Sequence, residues 1–354
     1  MEKIRVGLIG VGGIMNGVHI PAYQACNDCE ITAICDINPA TLKRVGEKLG
    51  IPEENRFLCY EKLMDSGLVD IVDIATPDAV HCKIAQAAVD RNIPISVEKP
   101  MGMSYKEVKA VCDAANAKNL PGHVCFSWHY RPYVRLMREQ IVSGKLGKLY
   151  HVYIRCIKDS GLWEGRRLEW RFDAKHSASG VMGDLCSHMF DIARFIGNEF
   201  ISVSADAGIF VKERQALDSD EIVPVTTWDW CNVLAKMEND VNATFQISRT
   251  TKFIGDWIQV EAYGEKGRLI YSYLVGDQKL ELQTEKGEIK TLIPGPEYNA
   301  NQSQAYLNIV KNEIVDGLEA TLANACKCQA ALDAAYRSVE EGRWVTIEEV
   351  EKEG

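Results

Sequence analysis

Short apolar runs, broken by glycine and polar clusters, set the rhythm of the first 125 residues. Ile4–Ile9 runs into a glycine cluster, and further runs follow at Glu30–Cys35, Val69–Ala75, Ile93–Val97 and Gly122–Phe126. Stretches of helical spacing separate them. After the second run, Asn38 suits a helix N-cap, Pro39 the first helical position and Gly50 the stop. Thr76-Pro77-Asp78 opens an alanine-rich helix, and Ser104 with Glu107 has capping-box spacing before a helix that ends near Lys118. Short apolar strands alternating with helices predict a parallel sheet covered on both faces.

Beyond residue 126 the texture changes. One helix is expected over Pro132–Ser143 and another over Asp184–Phe195, each stopped by a glycine. Longer strand-like runs lie between and after them: Leu149–Ile157, Ile201–Val211, Thr227–Met237, Val241–Thr251, Trp257–Tyr263, Arg268–Leu274 and Lys279–Gln283. Turn chemistry such as Glu238-Asn239-Asp240 and Gly264-Glu265-Lys266-Gly267 joins several of them. Helices over Gln304–Asp316 and Ala323–Glu341 close the chain. The pattern predicts an α/β protein. Residues 1–125 form one domain built on that parallel sheet, and residues 126–354 an α+β domain with a mostly antiparallel open sheet.

Composition narrows the function. The 354 residues are enough for two cores. Lys plus Arg number 40 against 50 Asp plus Glu, a net charge of −10, which argues against a general nucleic-acid partner. The chain has no apolar run long enough for a membrane span and no secretory h-region after Met1, so a cytoplasmic protein without a membrane partner is expected. Twelve cysteines include Cys26-x-x-Cys29 and Cys326-x-Cys328, but neither pair has a second pair or spaced histidines nearby. Free thiols, buried or half-buried, and no metal site are expected.

The first candidate site is Gly10-Val11-Gly12-Gly13-Ile14-Met15, where the first strand meets the first helix. Glycines at such a turn let the backbone approach a pyrophosphate, which the helix N-terminus stabilises. Met15 occupies the place where a third small residue is usual. A plain tight turn without ligand is the competing reading. Asp36 shifts the balance: it ends the second strand, where a carboxylate accepts hydrogen bonds from an adenosine ribose and repels a 2′-phosphate. NAD is therefore expected over NADP. Lys43 and Arg44 read as a solvated helix face.

Further motifs give the chain a family resemblance. Gly10–Ile14 is followed by His19-Ile20-Pro21-Ala22, then by Ala75-Thr76-Pro77 with His81, Glu98-Lys99-Pro100, Trp170-Arg171, and Gly183-Asp184-Leu185-Cys186-Ser187-His188 with Asp191. Together these resemble the glucose–fructose oxidoreductase and inositol dehydrogenase family of sugar and polyol oxidoreductases, over nearly the whole chain. The resemblance implies a Rossmann domain followed by a domain for substrate binding and oligomerisation. It implies that Gly10, Gly12, Gly13, Ile14, Asp36, Thr76, Pro77, His81 and Glu98 attend the cofactor, Glu98 at the nicotinamide ribose. Lys99 is implied to steady a developing alkoxide, and Asp184 and His188, four apart on one helix face, to handle the hydroxyl proton. Which of the two takes the proton stays open.

Two stretches depart from the family pattern or add to it. His129, in Trp128-His129-Tyr130-Arg131-Pro132, stands where an arginine is usual, and Ser179-Gly180 replaces the usual double glycine before Asp184. The run Leu162–Arg171 is dense in aromatic and guanidinium groups. Trp163, Arg166, Trp170 and Arg171, with His129, are candidate contacts for a sugar, because aromatic faces stack on C–H surfaces while charged groups bond hydroxyls. A salt-bridged structural loop is the alternative. The expected activity is NAD-dependent oxidation of a secondary hydroxyl in a sugar, glycoside or polyol, with a glucosyl ring hydroxyl among the candidates. The expected assembly is a homodimer or homotetramer. A redox-neutral glycoside-cleaving enzyme with tightly held NAD, and a non-catalytic NAD-binding sensor, remain as rivals.

Overall fold

In the computed structural model, which describes residues 2–177, 180–252, 254–314 and 317–354, the early apolar runs become strands. They are β1 (Ile4–Ile9), β2 (Cys29–Cys35), β3 (Arg56–Phe57), β4 (Ile71–Ile74), β5 (Ile95–Val97) and β6 (Gly122–Val124). They form one sheet in the order β3-β2-β1-β4-β5-β6, with every neighbouring pair parallel. Val6, Leu8, Val72, Ile74, Ile95 and Val97 are buried, as a parallel sheet covered on both faces requires. The chain order reverses between β1 and β4. The crevice beyond the carboxyl ends of such strands is where ligands bind.

The local signals work as read. Asn38 caps the helix Pro39–Leu49 by accepting from the Ala40 and Thr41 N–H groups, and Gly50 ends it in a left-handed conformation. Ser104 and Glu107 form a capping box at the head of the helix Tyr105–Ala117.

The molecule divides into two compact units, Met1–Phe126 with Ala300–Cys326, and Ser127–Asn299 with Lys327–Gly354. The first unit thus takes in a late segment that no local signal assigns to it. Its helix, Gln302–Val310, is capped by the Asn301 side chain. Tyr306 and Leu307 lie fully buried among Val6, Leu8, Ile20 and Ile71. The helix ends at Val310 rather than running toward Asp316, because Asn312 turns the backbone to positive φ. Asp316 lies outside the described residues.

The second unit holds β7 (Leu149–Ile157), β8 (Phe200–Gly208), β9 (Glu213–Gln215), β10 (Ile222–Pro224), β11 (Trp230–Met237), β12 (Asn242–Ser248), β13 (Trp257–Gly264), β14 (Gly267–Leu274), β15 (Asp277–Thr284), β16 (Ile289–Leu292) and β17 (Val345–Thr346). Among the described residues, nine of these form a sheet in the order β16-β15-β14-β13-β7-β12-β11-β8-β17, while β9 and β10 make a separate ribbon. Its pairs are antiparallel except β7 with β12, so the sheet is mixed and mostly antiparallel. In β11, Cys231, Val233, Ala235 and Met237 are buried while Asn232, Leu234 and Lys236 are exposed, so one face is covered. The helix Ser187–Ile196 packs on that face, with the Phe190 ring 4.7 Å from Phe245 and 4.9 Å from Phe200. The ribbon, β16 and β17 escape the apolar pattern because they are short or lie at an edge.

Candidate functional site

The turn after β1 is built for close approach. Gly10 has φ +84°, and a Cβ there would stand 2.7 Å from the Ala75 carbonyl oxygen, so only glycine fits. Gly12 and Gly13 have nothing within 4 Å of where a Cβ would be, which leaves the surface of the turn open. Ile14 is 44% exposed at the same turn. Met15 instead is fully buried, and the helix it enters is wound as a wide π turn from Met15 to His19. The Asn16 amide donates to the Val11 and Gly12 carbonyls and holds the turn's shape.

Asp36, half-buried after β2, accepts from the Val11 N–H at 3.0 Å and the Asn38 N–H at 2.8 Å. Each carboxylate oxygen can accept more than one hydrogen bond, so room remains for a ribose hydroxyl. After β4, Pro77 is exposed, and the Thr76 Oγ1 is shielded with no hydrogen-bond partner within the protein. Open glycines, a carboxylate with spare acceptor capacity and an orphaned hydroxyl suit the dinucleotide that the motif implies.

His81 has a structural placement. Its ring is buried, with Nδ1 2.9 Å from the Pro100 carbonyl and Nε2 2.7 Å from the Thr76 carbonyl, so it ties the ends of two neighbouring strands together. Glu98 and Lys99 follow β5 at the carboxyl edge of the sheet. The Glu98 N–H donates to the Ile74 carbonyl, and Glu98 Oε2 accepts the Lys99 N–H at 3.0 Å. Lys99 is half-buried. His19, which the sequence offers only as part of a motif, lies fully buried beside them. Its Nδ1 is 2.8 Å from Asp73 Oδ2 and its Nε2 is 2.9 Å from Glu98 Oε1. Burial alone would pull this imidazolium down; the two carboxylates more than reverse that and push it up to about 10.

In the second unit, Asp184 and His188 sit at the start of the helical segment that becomes Ser187–Ile196. From Val181 to Ile196 every residue is buried except these two, which are half-buried. They therefore mark the accessible stripe of an otherwise enclosed helix. Gly180, just upstream, has φ +62°, and a Cβ there would stand 2.2 Å from the Trp228 carbonyl oxygen. Ser179 lies outside the described residues.

Asp184 Oδ2 lies 3.2 Å from the Arg249 guanidinium and 3.7 Å from that of Arg171. Arg249 is a residue the sequence reading missed. Its side chain is 3% exposed, and burial pulls the guanidinium below its ordinary range against the attraction of Asp184. Arg166, Arg214 and Arg249 all stand over the buried Phe172 ring, 4.9, 4.1 and 5.6 Å from its centre. Apart from strand alternation, no local pattern marks Arg214 or Arg249; their partners lie far away in sequence.

The aromatic–guanidinium run divides by role. Arg166 pairs with Glu169 at 3.0 Å, and Arg167 donates to the Ala216 and Ser219 carbonyls, so these two brace the loop. The Trp170 ring lies 4.2 Å under the Arg171 guanidinium, and Arg171 in turn stands next to Asp184. Trp163 is 58% exposed, its indole N–H donating to Asp159. His129 is buried, with Nδ1 3.2 Å from Asp191 and its ring against Phe195.

All twelve cysteines are free thiols, with Cys59 and Cys326 half-buried and the others buried. Cys26, Asp28 and Cys29 bring ligand-type atoms within 4.8 Å of one another. Each already has a protein partner: the thiols donate to the Ala22 and Tyr23 carbonyls, and Asp28 pairs with Lys311 and Gln304.

Fold and sequence agree on the class of protein. Residues 4–126 match the oxidoreductase family with the NAD-binding Rossmann fold, and residues 134–270 match the GFO/IDH/MocA C-terminal domain. The chain belongs to this family of NAD-binding oxidoreductases, and its first unit carries the family's NAD-binding domain. Among its relatives, the levoglucosan dehydrogenase of Pseudarthrobacter phenanthrenivorans is 27% identical over 321 residues, 84% of this chain and 81% of that protein. The glucose-6-phosphate 3-dehydrogenase of Bacillus subtilis is 24% identical over 271 residues, 75% of this chain and 74% of that one. A solved structure of levoglucosan dehydrogenase with NADH and L-sorbose shares the fold at a TM-score of 0.90 and 24% identity, covering 99% of this chain and 100% of that one. Among the described residues, no helix is long and apolar enough to cross a membrane.

Proposed function

We propose that the protein oxidises a secondary hydroxyl of a sugar, glycoside or polyol and passes the hydride to NAD. The observation that carries this reading is the Glu98-Lys99 turn. It puts a half-buried lysine at the carboxyl end of β5, one strand from the reversal of strand order, in a domain of NAD-binding type. The names of the relatives, dehydrogenases of levoglucosan and of glucose 6-phosphate, support a carbohydrate substrate.

Bound NAD supplies the hydride acceptor. Gly10, Gly12, Gly13 and Ile14 would cradle its pyrophosphate, Asp36 would accept from its adenosine ribose, Thr76 and Pro77 would line its cleft, and Glu98 would meet its nicotinamide ribose. Lys99 donates a hydrogen bond to the substrate oxygen and stabilises the negative charge that grows as the hydroxyl proton leaves. His188 takes that proton, and Asp184, anchored by Arg249, orients it. Arg171, stacked on Trp170 beside Asp184, is the guanidinium best placed to bond further sugar hydroxyls.

The test is a panel of sugars and polyols with NAD, read by the absorbance of reduced nicotinamide, on wild type and Lys99→Met. Turnover of the variant should fall by roughly 10²- to 10⁴-fold, the usual contribution of a positioned acid or base, with NADH affinity nearly unchanged. A Lys99→Met enzyme as fast as wild type overturns the assignment.

A further inference from the structure

Nothing in the proposed reaction uses His19, although it is fully buried beside the residues that do. It lies nine positions beyond Gly10, at the end of the π turn that continues the glycine turn. Its two ring nitrogens face carboxylates from two other strands, Asp73 on β4 at 2.8 Å and Glu98 after β5 at 2.9 Å. A neutral imidazole has one N–H and one lone pair. Held between two ionised carboxylates it would point that lone pair at an oxygen, so the arrangement calls for a ring protonated on both nitrogens.

The surroundings leave the cation in place. Tyr23, Tyr306 and the Cys125 thiol are pushed well up by burial and by the charge of Asp73, so they stay neutral. His123, on β6, is turned to the Ser96 hydroxyl at 3.0 Å and stacks on Tyr306. Lys99 acts on the Cys125 thiol from the same region. The His19 ring is in hydrogen-bond contact with both Asp73 and Glu98.

We propose that His19 is a positioning residue: a fixed imidazolium that clamps Asp73 and Glu98, and through Glu98 sets the backbone at Lys99. Glu98 spends one oxygen on His19 and the other on the Lys99 N–H. The clamp joins the helix after the glycine turn to the ends of β4 and β5. The seat of the pyrophosphate and the residue that steadies the alkoxide are therefore held in one register. This rests on the reading of Lys99 given above.

Two measurements test it. The first needs no substrate. In [15N]histidine-labelled protein, the signal that vanishes in His19→Gln should keep the nitrogen shifts of an imidazolium from about pH 6 to about pH 9, well past the ordinary value near 6.5. Absence of such a signal in wild type overturns the cation. The second is steady-state kinetics of His19→Gln. Turnover should drop roughly 10- to 100-fold at neutral pH, the ordinary loss when an outer partner of a functional group is removed, with a smaller change in the KM for the sugar. Without the cation two buried carboxylates are left uncompensated, so the variant's turnover should gain a dependence on pH that wild type lacks. Wild-type turnover with an unchanged pH profile in His19→Gln overturns the positioning role, whereas failure of wild type to oxidise any sugar counts against the proposed reaction and leaves the imidazolium result standing.

Discussion

Asp36 in the first unit and Asp184 in the second are both half-buried carboxylates at the edge of a proposed site, and they are held by different means. Asp36 takes two backbone N–H groups, from Val11 and Asn38, which the strand ends deliver whatever their side chains are. Asp184 takes two guanidinium groups, from Arg249 and Arg171, each of which a single substitution removes. Backbone donors cost no side-chain entropy and carry no net charge. A buried guanidinium such as Arg249 must be compensated, and losing either partner leaves the other as an uncompensated charge. The first arrangement tolerates neighbouring change; the second concentrates stability and geometry in a few side chains.

The sharpest way to break this contrast is Arg249→Met, which keeps the stem and removes the cation. It should destabilise the protein by roughly 3–5 kcal/mol, the usual consequence of breaking a buried ion pair, read as a lower midpoint in denaturant. A loss below about 1 kcal/mol, within the range of an exposed pair, would mean that Arg171 carries Asp184 alone.

Asp36→Ala should cost less, about 1–2 kcal/mol for two hydrogen bonds whose donors sit near solvent. It should also narrow the preference for NAD over NADP, since the ribose acceptor and the charge that repels a 2′-phosphate go together. Paired titrations with NADH and NADPH check both, and wild-type binding that favours NADPH sinks the assignment. The smallest effect on stability belongs to Trp163→Ala, within about 0.5 kcal/mol because the ring is exposed. The same variant should raise the KM for the sugar and leave NADH affinity alone; an unchanged KM assigns Trp163 to the loop it braces through Asp159.

The two aspartates also differ in how far they could be read in advance. Asp36 follows a strand whose ending is written in the adjacent Asn38 and Pro39, and one backbone partner, Asn38, comes with that ending, while the other, Val11, comes from the glycine turn 25 positions earlier. The Asp184–His188 stripe was legible as a spacing, since four residues bring side chains to one helix face. The partner Arg249 was not, because it stands 65 positions away, just past the end of β12. The run 163–171 was read as one unit and divides in the structure. Arg166 turns back on the loop and Arg167 reaches across to the carbonyls between β9 and β10, while Arg171 reaches Asp184.

His19 shows the same boundary. It was visible as part of a motif, but its function in the fold depends on Asp73 and Glu98, 54 and 79 positions away. Local sequence settled the parallel strands, the capped helices, the glycine turn and the carboxylate after β2, because each follows from backbone geometry within a turn or two. The late helix Gln302–Val310 covering the first core, the guanidinium cluster around Phe172 and the imidazolium between two carboxylates were left to the tertiary structure. Burial is what selects those partners, and a charge that must find its counter-charge across the fold leaves no periodic trace along the chain.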